Sequence, residues 1–277
     1  MAVAKRYAAD VEALVARRHE NGGDFWATAD GRWGSGSPFS TFDCALMLSE
    51  LGLARGDPLM KGAAQVFLDA WREDGRIRPA PKGAVYPCHT ANAARVLGRL
   101  GFARDARLRL TYEHLLETQH SDGGWRCNTV KLGKSAGTDA SNPGVTLNVL
   151  DALRFSNTHR KDRRLDAAVD SLLKHWRTRN PRGPCHFGIG TLFGKLEYPF
   201  FRYNLFAYVY VLSFYPAAHD RKEFREARAA LEAKLVDGAI VVESPKRGLA
   251  ALAFCAKGKK SAPATKRYRE IVAKLAS

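Results

Sequence analysis

The sequence predicts an all-α domain in which repeated pairs of helices wrap around a central cavity, and three observations predict it. One phrase recurs along the chain: an apolar helix, a turn carrying Asp-Gly, a polar loop, and a second helix ending near Leu-Gly. Apolar residues in the helical stretches fall three and four apart, the spacing that gathers one buried face. Strand signals are scarce, and the best of them, 239–242, is short.

The repeats can be followed in order. The turns are Asp30-Gly31-Arg32-Trp33, Asp74-Gly75-Arg76-Ile77 and Asp122-Gly123-Gly124-Trp125, so Asp30 to Asp74 and Asp74 to Asp122 are steps of 44 and 48 residues. Periods of this length are those of helix-pair arrays. The second helices are expected over 39–51, 89–100 and 146–153. The first two end in Leu51-Gly52 and Leu100-Gly101, 49 residues apart. In the second, Ala93, Val96, Leu97 and Leu100 share a face. A single pair cannot bury such a face, whereas stacked neighbours can. Asp166 to Trp176 and Tyr203 to Tyr215 read as a further pair separated by a long insert, and Asp237-Gly238 followed by 248–256 as a weaker closing copy. The expectation is one domain, 1–277, of about five helix pairs.

Length and composition agree. A chain of 277 residues with 45% hydrophobic and 26% charged residues can bury a sizeable core. No apolar run approaches the roughly 20 residues that cross a bilayer. Residues 1–20 interrupt their apolar steps with Lys5, Asp10, Glu12, Arg17 and Arg18, which reads as a first helix rather than a secretion signal and places the protein in the cytoplasm. Five cysteines, an odd number, argue against a disulfide framework and leave buried thiols or metal ligands.

The 44 Lys and Arg against 28 Asp and Glu give a net charge of +16. Such a field favours anionic partners, whether phosphates, nucleic acid, an acidic protein or a membrane surface. The basic residues are densest at 159–164, 175–182 and 257–269. Nucleic acid is the non-enzymatic reading of that charge, yet no helix-turn-helix, zinc-finger or RNA-recognition signature accompanies it. A ring that binds a protein or peptide without chemistry is another reading.

The segment Gln119-His120-Ser121-Asp122-Gly123-Gly124-Trp125 resembles the Gln-to-Trp repeat of the terpene cyclase and protein prenyltransferase β-subunit superfamily. The likeness covers residues 20 to 155 best. It implies an α/α toroid, in which Gln119 caps a helix end and Trp125 stacks beneath it as a fold staple. It also implies a transferase or cyclase acting on an isoprenoid or other anionic ligand. The chain departs from that family: it has neither an Asp-x-Asp-Asp acid nor an Asp-Asp-x-x-Asp run, and Asp43-Cys44 only loosely matches a zinc-binding Asp-x-Cys. In length it is similar to the small single-toroid, prenyltransferase-like members. The catalytic acid or base is not identified, and the sequence fits both a ring closed by one chain and a ring completed by dimerisation.

The sharpest chemical cluster is Tyr86-Pro87-Cys88-His89, Trp125-Arg126-Cys127 and Pro184-Cys185-His186. Cys88 and Cys127 lie 39 residues apart in equivalent loops of adjacent repeats. Zinc takes about four soft or borderline ligands, one position being open when the site is catalytic. Cys88, Cys127, Cys185 and His186 are therefore the candidate zinc ligands, although buried cysteines need no function. The Cys88-His89 and Cys185-His186 dyads also resemble those of lanthipeptide cyclases, toroids whose zinc activates a peptide thiolate. The aromatic stretch Tyr198-Pro199-Phe200-Phe201-Arg202-Tyr203 offers an apolar wall with one fixed cation. Tyr86, His89, Trp125, Arg202 and Tyr203 are accordingly the candidate substrate contacts. Glycine and lysine spacings fit neither a Walker loop nor a dinucleotide fingerprint.

Overall fold

The computed structural model describes residues 5–126, 139–183, 185 and 187–276. Cys127 and His186, two of the candidate zinc ligands, lie outside these described residues. The described residues form twelve α-helices and two 3-10 turns, Lys5–Tyr7 and Ala253–Cys255, with no strand among them. The protein is all-α, as the sequence predicts, and no described helix is long and apolar enough to cross a membrane.

The helices are α1 (Ala8–Ala16), α2 (Thr41–Leu51), α3 (Pro58–Asp69), α4 (Pro87–Arg99), α5 (Ala106–Glu117), α6 (Pro143–Leu153), α7 (Arg164–Thr178), α8 (Thr191–Gly194), α9 (Leu205–Leu212), α10 (Pro216–His219), α11 (Lys222–Glu232) and α12 (Ala262–Leu275). Their starts are written in the sequence. Ser40 and Asp43 form a capping box on α2, and Asp57, Asp105, Asn142, Asn204 and Ser261 accept from first-turn amides of α3, α5, α6, α9 and α12. Each such cap contributes about 1 kcal/mol. Proline occupies the first turn of α3, α4, α6 and α12, where its missing N–H costs nothing. At the other end, Gly52 closes α2 in the left-handed conformation (φ 90°), freely available only to glycine.

Burial separates two kinds of helix. All eight residues of α9 and all but one of the eleven of α6 are buried, so these helices are covered on every side. In contrast, α3, α5, α7 and α11 bury one stripe and expose the other. The covered helices pack in the order α2, α4, α6, α9, with the half-exposed α12 against α9, and α3, α5, α7 and α11 pack against α2, α4, α6 and α9 respectively. The two ends of the chain meet: the Asp10 carboxylate accepts from the amides of Ala253 and Phe254 at 2.9 Å each.

Tryptophans tie the layers. Trp26 donates to the Leu14 carbonyl on α1 at 2.8 Å, and Trp125 donates to the Leu115 carbonyl on α5 at 2.6 Å. Gln119 donates to the carbonyls of Gly123 (2.6 Å) and Arg164 (2.8 Å), pinning the turn to the start of α7. The closing repeat differs from expectation. Residues 248–256 form no α-helix, because Asp10 takes two of their amides and Gly248 is left-handed (φ 95°). The last two long helices are instead α11 and α12. Residues 239–242 make only isolated bridges, Val236 to Ala239 and Val241 to Lys260.

Candidate anion site

Two groups of residues occupy opposite ends of the covered helices. At the N-terminal ends lie most of the residues that the sequence singles out. Tyr86 caps α4 and stacks on His89, with ring centroids 4.8 Å apart, and His89 meets Trp33 edge-on at 6.3 Å. Burial lowers the His89 pKa, so the ring is neutral at pH 7. Cys88, in the first turn of α4, is half-buried, and Cys185 is exposed. Among the described residues no three His, Cys, Asp or Glu side chains are grouped to hold a metal ion.

The segment 197–204 crosses this end. Phe201 packs on Phe42 at the start of α2, and the Phe200 carbonyl accepts from Arg95 at 2.8 Å. Arg202 pairs with the buried Glu197 carboxylate. Burial raises the Glu197 pKa, and Arg202 only partly opposes it. Tyr203 bonds His175 Nδ1 at 2.9 Å, while His175 Nε2 meets the Asn180 carbonyl at 3.0 Å. A carbonyl only accepts, so Nε2 carries the proton and Tyr203 donates to Nδ1. Trp125 is fully buried, its indole N–H bonded within the core, which fits a staple. No hydrogen bond, ion pair or ring contact among the described residues joins the Tyr86–His89 pair to Arg202 or Tyr203.

The C-terminal ends of α2, α4, α6 and α9 surround a different arrangement, a pocket of about 650 Å³. Six cations line it, Arg55, Arg99, Arg154, Lys266, Arg267 and Lys274, against one acid, Glu270. Its apolar wall includes Phe155, Tyr210 and Phe214. Behind the wall sits a buried ionic network. Glu50 on α2 accepts from Arg99 on α4 at 2.5 Å, from Arg267 on α12 at 2.7 Å and from the Tyr198 hydroxyl at 2.5 Å. Asp151 on α6 accepts from Arg154 at 2.6 Å and faces Arg99 at 3.5 Å and Arg95 at 3.8 Å.

The electrostatics of this network are set by competition. Burial pushes the carboxyl pKa values of Glu50 and Asp151 up, but the surrounding guanidiniums outweigh it and hold both below the ordinary range. Burial works against the charge of Arg99 and of Arg267, and the carboxylates more than restore it. For Arg95 burial wins, and its pKa falls to about 10, still charged at pH 7.

The charges do not cancel. With Arg95 there are seven cations against Glu50, Asp151 and Glu270, an excess of four. Four helix C-termini contribute roughly −0.5 each, about −2 in all, which leaves the pocket at about +2. The part of that surplus carried by the buried Arg99 and the largely buried Arg154 is screened less than the exposed Arg55, Lys266 and Lys274. Arg154 is held between Phe155 and Phe214, each 4.2 Å from its guanidinium carbon, and its terminal nitrogens take no hydrogen bond among the described residues. Arg99 Nε and Nη2 are buried without a hydrogen-bond partner. The terminal donors of Arg154 over a basic hollow are what an oxyanion completes.

The sequence holds a signal for this site. Glu50-Leu51-Gly52 and Arg99-Leu100-Gly101 occupy the same place in consecutive repeats, so one charged residue precedes each Leu-Gly ending of an apolar helix. In the structure these two equivalent residues are ion-paired.

No family model matches the chain, and no curated protein matches it. Among solved structures, a protein from Actinoplanes is similar at 16% identity and a TM-score of 0.47, over 97% of this chain and 83% of that one.

Proposed function

We propose that the helix pairs close into an α/α ring and that the pocket at the C-terminal ends of its inner helices binds a phosphate-bearing small molecule. The alternation of covered and half-exposed helices and the contact between the chain ends support the ring. One observation carries the ligand class: a surplus of guanidinium groups in a 650 Å³ hollow, with hydrogen-bonding capacity left over on Arg154. Phe155 and Phe214 give the same pocket an apolar wall, suited to a ligand that joins a charged head to an apolar tail. An isoprenoid diphosphate has that chemistry, and prenyl transfer or cyclisation is the reaction class proposed with it. Zinc chemistry would need Cys88 and Cys185 to be joined by ligands outside the described residues.

Calorimetric titration tests the reading. Inorganic pyrophosphate and a prenyl diphosphate should both bind, the latter more tightly if the aromatic wall is used. Absence of binding by either at millimolar concentration, in wild-type protein and in a variant lacking the pocket acid Glu270, would overturn the proposal. Tight, steeply salt-dependent binding of a nucleic acid duplex or single strand, with no response to diphosphates, would replace it with the nucleic-acid reading. Metal content of protein prepared without chelator tests zinc separately: about one zinc per chain is expected, lost on Cys88→Ser.

A further inference from the structure

Glu270 is the one acid among the described pocket-lining residues, and it does not sit at the rim as a bystander. Both of its oxygens accept from Arg267 Nη1 at 2.7 Å, and Oε2 also accepts from the Tyr210 hydroxyl at 2.9 Å. Arg267 and Tyr210 both line the hollow. The carboxylate therefore stands where an incoming oxyanion would find its donors.

Arg267 does not depend on Glu270 for charge compensation. Its Nε is already bonded to the fully buried Glu50. Glu270 itself is one-third exposed, on a long flexible side chain, and its pairing with Arg267 is a part-buried i,i+3 contact. A second resting place lies within reach: Lys274 is four residues further along α12, the favoured Glu-to-Lys spacing on a helix face.

Resting on the anion-site reading above, we propose that Glu270 is an internal competitor which fills the anion position of the empty pocket and makes it selective for phosphate dianions and diphosphates over carboxylates. The reasoning is a charge exchange. A carboxylate ligand replaces one negative charge by another and still has to release Glu270. A phosphate dianion or a diphosphate brings additional charge to the same donors, and Arg154, Lys266 and Lys274 are there to receive it. Selectivity thus comes from a repulsive element as much as from the cations.

The experiment titrates wild-type protein, Glu270→Gln and Glu270→Ala with pyrophosphate and with acetate, beside Glu12→Gln as an exposed acid elsewhere that controls for net charge. Removing the carboxylate should tighten pyrophosphate binding by about tenfold and make acetate binding measurable, while Glu12→Gln leaves both unchanged. Glu270→Ala serves if the glutamine variant does not fold. Unchanged or weaker pyrophosphate binding in a variant of wild-type Tm would overturn the proposal and make Glu270 a support for Arg267. If wild-type protein binds neither anion, gain of pyrophosphate binding in Glu270→Gln still supports the competitor. No gain there refutes both the competitor and the anion site, whereas wild-type binding with an unresponsive Glu270 refutes the competitor alone.

Discussion

The two ends of α2, α4, α6 and α9 carry similar residue types in opposite electrostatic states. At the N-terminal ends three cations have a local opposite: Arg202 has Glu197, Lys246 has Asp43, and Arg182 has Asp122. The aromatic rings of 198–203 are spent on one another and on the helices they cross. At the C-terminal ends four arginines converge on two buried carboxylates, and lysines surround them. Unusual residues mark the first end, and incomplete compensation marks the second. The lesson is that the charge ledger stays open away from where the rarest motifs cluster.

The sharpest way to break this contrast is to remove a carboxylate from each end. Glu50→Gln should lower stability by about 3–5 kcal/mol, because it leaves Arg99 and Arg267 buried beside a neutral group. Its counterpart Glu197→Gln leaves Arg202, a side chain 46% exposed that water can solvate, and should cost no more than about 1 kcal/mol. Chemical denaturation reads both. Equal losses would mean that the C-terminal network is no more strained by imbalance than the N-terminal pair.

Ligand affinity should follow the same division. Arg154→Ala should weaken pyrophosphate by about 10- to 100-fold, the loss of a charged hydrogen bond of about 1.5–3 kcal/mol. Arg202→Ala should change affinity less than twofold, on the order of 0.4 kcal/mol. Calorimetry on the two variants decides, and a reversal of the ranking would move the site to the other end.

A smaller effect comes from the histidines. Burial lowers the pKa of His175, and of His89 and His114, below the unfolded value near 6.5. The unfolded chain then binds protons that the folded one refuses. Stability contributed by these neutral rings is complete above pH 6.5 and is lost as pH falls from there toward the folded pKa. Glu50 and Asp151 shift the other way, holding their contribution down to about pH 4 and losing it below. Thermal melts between pH 7.5 and 5 should show a decline, shallower in His175→Gln. A pH-independent Tm across that window would contradict the buried neutral His175.

Much of the fold is legible in the sequence because it is local. Helix periodicity, capping residues and Asp-Gly turns act within a few residues, so α2, α4, α6 and α7 fall close to their expected places. The resemblance implies the staple role of Gln119 and Trp125, and their bonds to Arg164 and Leu115 fit it. The closing repeat is not, since Asp10, some 240 residues upstream, captures the amides that a helix over 248–256 would use. The anion site is harder still. Its charges come from four helices, α2, α4, α6 and α12, and beyond the shared Leu-Gly endings after Glu50 and Arg99 no short motif records that Asp151 and Arg267 will join them. Tyr86, His89, Arg202 and Tyr203 drew attention as a compact string of reactive and aromatic side chains, and the structure uses them in stacking and in paired contacts.

The central claim is a place, so the most direct measurement is a crystal structure determined with pyrophosphate. The account predicts the anion among Arg154, Arg267, Lys266 and Lys274, with Glu270 turned away from Arg267. Pyrophosphate bound instead beside Arg202 and Tyr203, or Glu270 unmoved beside an empty pocket at saturating pyrophosphate, would contradict it.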